Sequence, residues 1–293
     1  MGHYICLDIG GTSVKHGMVS ADGTFLETQQ TPTEAHKGGR HIAKKTVLCI
    51  EGYLEKYSVE GVCISTAGMV NSDSGAIFYA SPLIPGYTGI NLKETVERRF
   101  GIPCEVENDV NCAGLAEAVS GAGKGASSVL CVTVGTGIGG SFILDGEIYR
   151  GCCGSACEVG YMLDGGLAFQ DTGSARSMCT WVERRKKESG WDGEKIFDAA
   201  QDGDRVCGAA VERMCGSLAR GIANLCYVLN PEIVVLGGGV TARQDVLGPE
   251  IDRYLDQYLL PVIRERTKVR FARYGNSAGM MGAFYNYRKK HFE

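Results

Sequence analysis

Glycine-rich turns are the clearest candidates for a chemical role in this sequence. Three of them each follow an apolar, strand-like run, at residues 8–12, 135–140 and 236–240. Glycine has no side chain, so backbone N–H groups in such turns can approach phosphate oxygens closely. One such turn is usually only a tight connection between two elements, but three in this order favour nucleotide binding.

Two common nucleotide-binding motifs do not fit these turns. No Gly-Lys-Ser or Gly-Lys-Thr ends any of them, as a P-loop would require. No GxGxxG run opens a helix near the N-terminus with an acidic residue following at the dinucleotide spacing. The sequence therefore argues against both P-loop and Rossmann folds.

Acidic residues near these turns are candidates for catalysis. Asp109 stands in the run Glu107-Asn108-Asp109-Val110-Asn111, and Asp8 and Glu158 flank two other glycine-rich segments. Phosphoryl transfer needs an aligned hydroxyl, a base for its proton, and positive or dipolar groups around the phosphoryl group. An Asp beside an Asn is also a common turn or helix-cap residue. The residues alone leave both interpretations open.

The elements that would position these residues alternate between strand and helix. Apolar spacing predicts helices at 42–57, 206–229 and 245–258 and a strand at 61–65, and Asn91 with Glu94 has the form of a capping box. A strand, a Gly/Thr turn, a second strand and an Asp-Gly turn occur at residues 4–23 and again at 127–146. The repetition predicts an α/β protein with two lobes, 1–115 and 116–276, and a last helix at about 277–293 that packs on the first lobe.

Five motifs in order resemble those of the ROK family of repressors, unclassified reading frames and sugar kinases. Residues 8–12 are similar to its DIGGT motif, 107–111 to ENDxN, 136–140 to GTGIGG, 156–160 to AGE-x-G and 236–240 to LGGGV. The resemblance runs from residue 4 to about 287. It implies the actin-like ATPase (ribonuclease H-like) fold, with both ligands in a cleft between the lobes.

The resemblance also implies roles for individual residues. Asp109 would be the catalytic base that accepts the proton of a sugar hydroxyl, and Asp8 would help to place the Mg²⁺ of Mg-ATP. The expected sugar-binding residues are Gly68, Asn108, Asp109, Glu158 and Tyr161. The expected ATP-binding residues are Asp8, Gly10, Gly11, Thr12, Lys15, Thr136, Gly137, Gly139, Gly238 and Gly239.

The chain departs from the family around the sugar site. Tyr161 stands where many members have His, and residues 162–180 hold only Cys179 in place of the CxCGxxGC zinc motif, so no structural zinc is expected. Residues 158–162 and 77–80 look most like the zinc-free branch. That branch implies phosphorylation of the 6-hydroxyl by a β-glucoside kinase or a glucokinase-like enzyme, with N-acylmannosamine kinase or fructokinase as alternatives.

Composition argues against some classes of partner and predicts the state of the cysteines. A net charge of −4 without basic runs argues against nucleic acid as a partner, and no apolar stretch approaches membrane-spanning length. Thirteen cysteines, several within apolar patterns, predict free thiols in a reducing cytoplasm. The cluster Cys152, Cys153 and Cys157 lacks paired CxxC spacing, which favours packing over a metal site.

The family resemblance leaves one alternative of another class and one expectation about assembly. A sugar-sensing repressor would carry a helix-turn-helix domain before DIGGT, whereas seven residues precede Asp8 here. A homodimer is expected. The histidines stand away from the motifs and are expected at the surface: His3, His16, His36, His41 and His291.

Overall fold

The computed structural model describes residues 2–292 and is a mixed α/β structure, as the sequence predicts. Its elements up to residue 120 are β1 (His3–Ile9), β2 (Ser13–Ser20), β3 (Phe25–Pro32), α1 (Gly39–Leu54), β4 (Gly61–Thr66), β5 (Met69–Asn71), β6 (Ala76–Tyr79), α2 (Leu92–Phe100), β7 (Cys104–Asn108) and α3 (Asp109–Ser120). Then follow β8 (Ser128–Val134), β9 (Ile138–Leu144), β10 (Glu147–Ile148), β11 (Leu163–Asp164), β12 (Leu167–Ala168), α4 (Phe169–Gly173), α5 (Ala175–Lys186), α6 (Gly193–Gln201), α7 (Arg205–Leu229), β13 (Ile233–Gly237), α8 (Gln244–Tyr258), α9 (Pro261–Arg264), β14 (Lys268–Phe271) and α10 (Ala278–Phe292).

Two five-stranded sheets share one strand arrangement. Their strand orders are β3-β2-β1-β4-β7 and β10-β9-β8-β13-β14. β1 pairs antiparallel with β2 and parallel with β4, and β8 pairs antiparallel with β9 and parallel with β13. The repeat of strand, turn and strand predicted from the sequence is therefore confirmed.

Contacts between residues divide the chain into two compact units. The first unit takes residues up to Val119, the segment Ile148–Ala156 and residues from Asn276 onward, and the second takes Ser120–Glu147 and Cys157–Gly275. Within the first unit, α10 packs against β1, β4 and β7. The first unit is thus assembled from three separate stretches of the chain.

The first unit has its own apolar core beneath its sheet. α1 places Ile42, Ile50 and Tyr53 in this core, as its helical spacing predicts. α2 begins at the predicted cap, where the Asn91 side chain accepts a hydrogen bond from the backbone N–H of Glu94 at 2.9 Å. Gly101 ends the helix in the left-handed conformation (φ 65°), which glycine adopts without steric cost.

The second core is organised by α7, the longest helix among residues 2–292. Five residues of its predicted apolar stripe are buried, and the two at its ends, Val206 and Leu229, are only partly buried. The buried five are Ala210, Met214, Leu218, Ile222 and Leu225. Several residues outside that stripe are also buried, so the helix is covered on more than one face: Cys207, Val211, Cys215, Ala219, Ala223 and Cys226. The helix ends at Leu229, before Asn230 (φ 46°) and a proline, as predicted.

Two details differ from the sequence analysis. His16 is buried rather than at the surface, because it lies on β2 between two other strands and its Nδ1 is 2.9 Å from the Tyr53 hydroxyl. Burial lowers the pKa of His16. The second glycine-rich turn is also shorter than predicted, since β9 begins at Ile138 and takes Gly139 and Gly140 into the strand.

The thirteen cysteines are all free, as predicted, and the five that the sequence placed in apolar patterns are all buried: Cys6, Cys63, Cys131, Cys215 and Cys226. Within residues 2–292, no helix has the length and apolar character needed to cross a membrane.

Replacement of Gly282 by Ala should destabilise the first unit. A Cβ at Gly282 would lie 1.8 Å from the backbone oxygen of Cys112, so α10 and α3 could not keep their contact. We expect Gly282→Ala to lower the free energy of unfolding by about 2 kcal/mol or more, as overpacking does, measured by urea denaturation.

Gly52→Ala is the matched control for that substitution. Gly52 lies inside α1 with no atom within 4 Å of its added Cβ. Alanine should therefore stabilise this helix by up to about 1 kcal/mol. Equal effects of the two substitutions would contradict the packing account of α10.

Candidate active site

The turn between β1 and β2 holds Gly10, Gly11 and Thr12. The Gly10 N–H donates to the Ser13 oxygen at 3.0 Å, which closes the turn. Thr33 supports it from β3's end, because its hydroxyl donates to the Gly10 oxygen at 2.6 Å and its N–H donates to the Thr12 oxygen at 2.9 Å. Gly11 and Thr12 are exposed. The backbone of Gly11 and Thr12 is therefore accessible, while hydrogen bonds to Gly10 and Thr12 fix the turn.

Asp8 lies near the end of β1, beside this turn. Its Oδ1 accepts a hydrogen bond from the Ser65 hydroxyl at 2.7 Å, and Lys15 is its cross-strand partner on β2. Lys15 in turn donates from Nζ to Asn276 at 3.1 Å. Burial raises the pKa of Asp8, while the Ser65 hydrogen bond and the Lys15 charge oppose that shift. A bound cation would offset the cost of keeping this carboxylate charged.

Asn108 joins Gly68 and Asp109 at the start of α3. Its Nδ2 donates to the Gly68 oxygen at 2.9 Å and to Asp109 Oδ1 at 3.0 Å. Its Oδ1 accepts from the N–H groups of Val110 and Asn111, which makes Asn108 the helix cap. Asp109 is therefore the first residue of the helix rather than its cap, and its carboxylate lies where the helix dipole favours negative charge.

Gly68 needs to be glycine in this arrangement. Its φ is 100°, and a Cβ there would lie 2.9 Å from the Tyr79 backbone oxygen. The turn between β4 and β5 can thus bring the Gly68 carbonyl to Asn108 only without a side chain.

The buried carboxylate of Glu107, two residues before Asp109, forms an ion pair with Arg150. Glu107 is 1% exposed, and its Oε2 accepts from Arg150 Nε at 2.8 Å. Its Oε1 accepts from the Asn108 N–H at 2.9 Å and from Asn111 Nδ2 at 3.0 Å. Arg150 also donates to Asn286 Oδ1 at 3.0 Å. Both carboxylate oxygens of Glu107 are thus satisfied, and the segment after β10 and helix α10 are tied to the residues around Asp109.

In the second unit, predicted phosphate-binding glycines line one open depression of about 330 Å³. Thr136, Gly137 and Gly139 contribute to it from the β8–β9 turn and from β9, and Gly238 contributes from the end of β13. Gly238 has φ 89°, and a Cβ on it would lie 2.3 Å from the Val134 oxygen. Only glycine allows β13's end to approach β8 this closely.

The segment that carries Glu158 is held on β9 by two close glycine contacts. A Cβ at Gly140 would lie 2.8 Å from the Cys157 oxygen, and one at Gly160 would lie 2.2 Å from the Ile138 oxygen. Cys157 itself has φ 64°, a conformation that costs a non-glycine residue energy. Glu158 is exposed as a residue, yet partial desolvation of its carboxyl raises its pKa.

The predicted site residues thus fall into local groups. Gly68, Asn108 and Asp109 share hydrogen bonds, and Asp8 and Lys15 pair across two strands. Gly239 does not line the depression that Gly238 lines, and Tyr161 is exposed.

Sequence reasoning missed three residues of these groups. No sequence pattern indicated a role for Arg150. Glu107 was noted only as part of the ENDxN motif, and Gly279 only as part of a predicted helix. A Cβ at Gly279 would lie 2.4 Å from the Asp8 carboxyl, so α10 can pass Asp8 only because this residue is glycine.

Comparison with known proteins identifies the family. The family model described as the ROK family matches residues 4–290. An uncharacterized protein of Clostridium perfringens is 46% identical over 99% of both chains. A beta-glucoside kinase of Listeria monocytogenes is 31% identical, over 96% of this chain and 95% of the relative.

Solved structures show the same fold. A ROK family glucokinase from Streptomyces griseus, in complex with glucose and AMPPNP, matches with a TM-score of 0.81 at 30% identity, over 96% of this chain and 98% of that chain. The expected actin-like ATPase fold is therefore confirmed.

Replacement of Arg150 by Met should destabilise the protein strongly. Glu107 would keep a buried charge without its cationic partner, which typically costs about 3–5 kcal/mol. Urea denaturation should show this loss, and Arg150→Lys should recover part of it because the charge returns without the guanidinium geometry. Equal stability of wild type and Arg150→Met would contradict the role of the pair.

Replacement of Asp8 by Asn should stabilise the ligand-free protein at neutral pH. Because the folded-state pKa of Asp8 is raised, ionisation of this carboxyl opposes folding above its unfolded pKa, and the neutral amide avoids that penalty. We expect a higher thermal midpoint for Asp8→Asn at pH 7 and convergence with wild type as the pH falls below the ordinary Asp range of about 4. A lower midpoint at pH 7 would contradict this.

Proposed function

The chain belongs to the ROK family, and on this premise we propose that it transfers the γ-phosphoryl group of ATP to the 6-hydroxyl of glucose or of a β-glucoside. The protein is an ATP-dependent carbohydrate kinase. Our proposal concerns which acceptor is used, which of its hydroxyls reacts, and what individual residues do. The observation that carries them is the hydrogen-bonded group of Gly68, Asn108 and Asp109 at the start of α3.

Asp109 acts as the general base in this proposal. Its Oδ1 is occupied by Asn108 Nδ2 and the Val110 N–H, which fixes the direction of the carboxylate. A carboxylate held in this way can accept the proton of the attacking hydroxyl as the oxygen–phosphorus bond forms. Asn108 and Glu158 hold other hydroxyls of the sugar, and Gly68 and Tyr161 line the sugar site.

The glycine turns and Asp8 serve ATP. Exposed backbone at Gly11 and Thr12, with Lys15 beside them, suits phosphate oxygens in the first unit. Thr136, Gly137 and Gly139 do the same in the second unit, and Gly238 and Gly239 lie on the adenosine side. Asp8 fits Mg²⁺, because this ion is typically held by one or two carboxylates together with substrate phosphates. Mg²⁺ bound with ATP neutralises charge that develops between the phosphates.

Exposed apolar residues in the segment that follows β5 support an acceptor larger than a single sugar. Tyr79, whose backbone oxygen lies against Gly68, is 47% exposed, and Leu83 in the loop beyond it is 74% exposed. Apolar and aromatic surfaces next to a few fixed polar groups are typical of small-ligand sites. The aglycone or second ring of a β-glucoside is a chemically suitable occupant for this surface.

A panel of acceptors tests the substrate assignment. ADP release should be measured with glucose, cellobiose, gentiobiose, N-acetylmannosamine and fructose at equal concentrations. We expect the highest kcat/KM for glucose or a β-linked glucose disaccharide, with the phosphate on the 6-hydroxyl of the product. The highest value for N-acetylmannosamine or fructose would overturn the glucoside assignment and leave the kinase activity intact.

Asp109→Asn tests the proposed base. We expect turnover to fall by roughly 100-fold or more, the usual contribution of a positioned base, while the Kd for the sugar changes little because the amide keeps the shape of the carboxylate. Isothermal titration should measure binding and coupled ADP release should measure turnover. Asp252→Asn, on α8, is the control and should leave both unchanged. Full turnover in Asp109→Asn would remove Asp109 from this role.

A further inference from the structure

Two adjacent cysteines form a surface feature that the kinase reaction does not use. Cys152 and Cys153 are both exposed, whereas the other eleven cysteines are buried or partly buried. Burial raises the pKa of core thiols such as Cys63, Cys104 and Cys112, which makes them poor nucleophiles at neutral pH. Reactivity toward small reagents is therefore concentrated at this pair.

The loop that carries the pair has a defined shape. Gly151 and Gly154 flank the two cysteines in the left-handed conformation, with φ 68° and 82°. The Ala156 N–H donates to the Arg150 oxygen at 3.2 Å, which closes the loop at its base. A Cβ at Gly154 would lie 2.9 Å from the Val70 oxygen, so the loop rests directly on β5. The two thiols project from a fixed loop, not from a loose chain end.

The contacts of Cys153 make it the more reactive of the two thiols. Its Sγ lies 3.0 Å from the Ser155 hydroxyl. The hydrogen bond from Ser155, followed by one from the Cys152 side chain, lowers the pKa of Cys153. More of Cys153 is therefore thiolate at neutral pH than of an ordinary cysteine, and the thiolate is the attacking form.

We propose that Cys152 and Cys153 form a reversible thiol-exchange site that reacts with small disulfides. The Cys153 thiolate attacks one sulfur of the disulfide, the S–S bond breaks, and the first leaving thiolate takes up a proton. The Cys152 thiol then loses its proton and attacks Cys153 Sγ, which releases the second half of the reagent as a thiol. Two protein thiols are oxidised to one disulfide, and the small disulfide is reduced to two thiols.

The closed form should be easily reduced. Adjacent Cα atoms are about 3.8 Å apart, whereas bridged cysteines usually have Cα atoms about 4.4–6.8 Å apart. A Cys152–Cys153 bond is therefore strained, and strained disulfides are the labile ones. The site thus suits reversible modification rather than permanent cross-linking.

The experiment uses the whole reduced protein and dithiodipyridine, whose released thiopyridone absorbs light. We expect wild type to release two equivalents of thiopyridone rapidly, with an intact mass lower by two hydrogens and no retained adduct. Peptide mapping should find the bond between Cys152 and Cys153, and a dithiol reductant should restore the original mass. A stable adduct on wild type, or rapid reaction at another cysteine, would overturn the proposal.

Single variants separate the two steps. Cys152→Ser should release one equivalent rapidly and keep a mixed disulfide on Cys153, since no second thiol is present to displace it. Cys153→Ser should react more slowly, because the thiol that contacts the Ser155 hydroxyl is then absent. Cys49→Ser, at a partly buried position, is the control and should behave as wild type. Equal rates for the Cys152 and Cys153 variants would contradict the assignment of Cys153 as the nucleophile.

Discussion

Glu107 carries a carboxylate that is almost fully removed from water, and the geometry around Asp109 depends on how that charge is satisfied. An unpaired carboxylate in such a place would be neutral or would unfold its surroundings. Here the carboxylate accepts hydrogen bonds from Asn108 and Asn111 at the start of α3 and from Arg150. Arg150 also donates to Asn286. The same contacts that stabilise the charge therefore fix β7, α3, α10 and the loop after β10 relative to one another.

The second unit positions its residues by a different physical means. Gly140, Gly160 and Gly238 each stand where a Cβ would lie 2.2–2.8 Å from a backbone oxygen of a neighbouring segment. Close backbone packing, rather than a buried charge, holds the β8–β9 turn, the end of β13 and the segment with Glu158. The two units repeat one strand order, and the buried carboxylate of Glu107 supports the candidate site residues of the first unit only.

Local patterns predicted the elements and the turns, because apolar periodicity, glycine turns and helix caps each depend on residues that are close together in the sequence. The end of α7 at Asn230 and the Asn91 cap are examples. Contacts between distant residues were not predictable in this way. Arg150 lies 43 positions from Glu107 and 136 from Asn286, and His16 is buried only because other strands cover β2. The φ of 64° at Cys157 also has no local signal, since glycine is the usual residue for that conformation.

The place of α10 in the chain has a consequence for biosynthesis. Gly279 and Gly282 let this helix lie against Asp8 and Cys112, so a helix translated more than 260 residues after β1 completes the unit that contains β1. Until α10 has been translated, the nascent first unit exposes the face of β1 and β4 that α10 covers. The second unit, Ser120–Glu147 with Cys157–Gly275, has all its strands and helices available before α10 and can form before the first unit is complete.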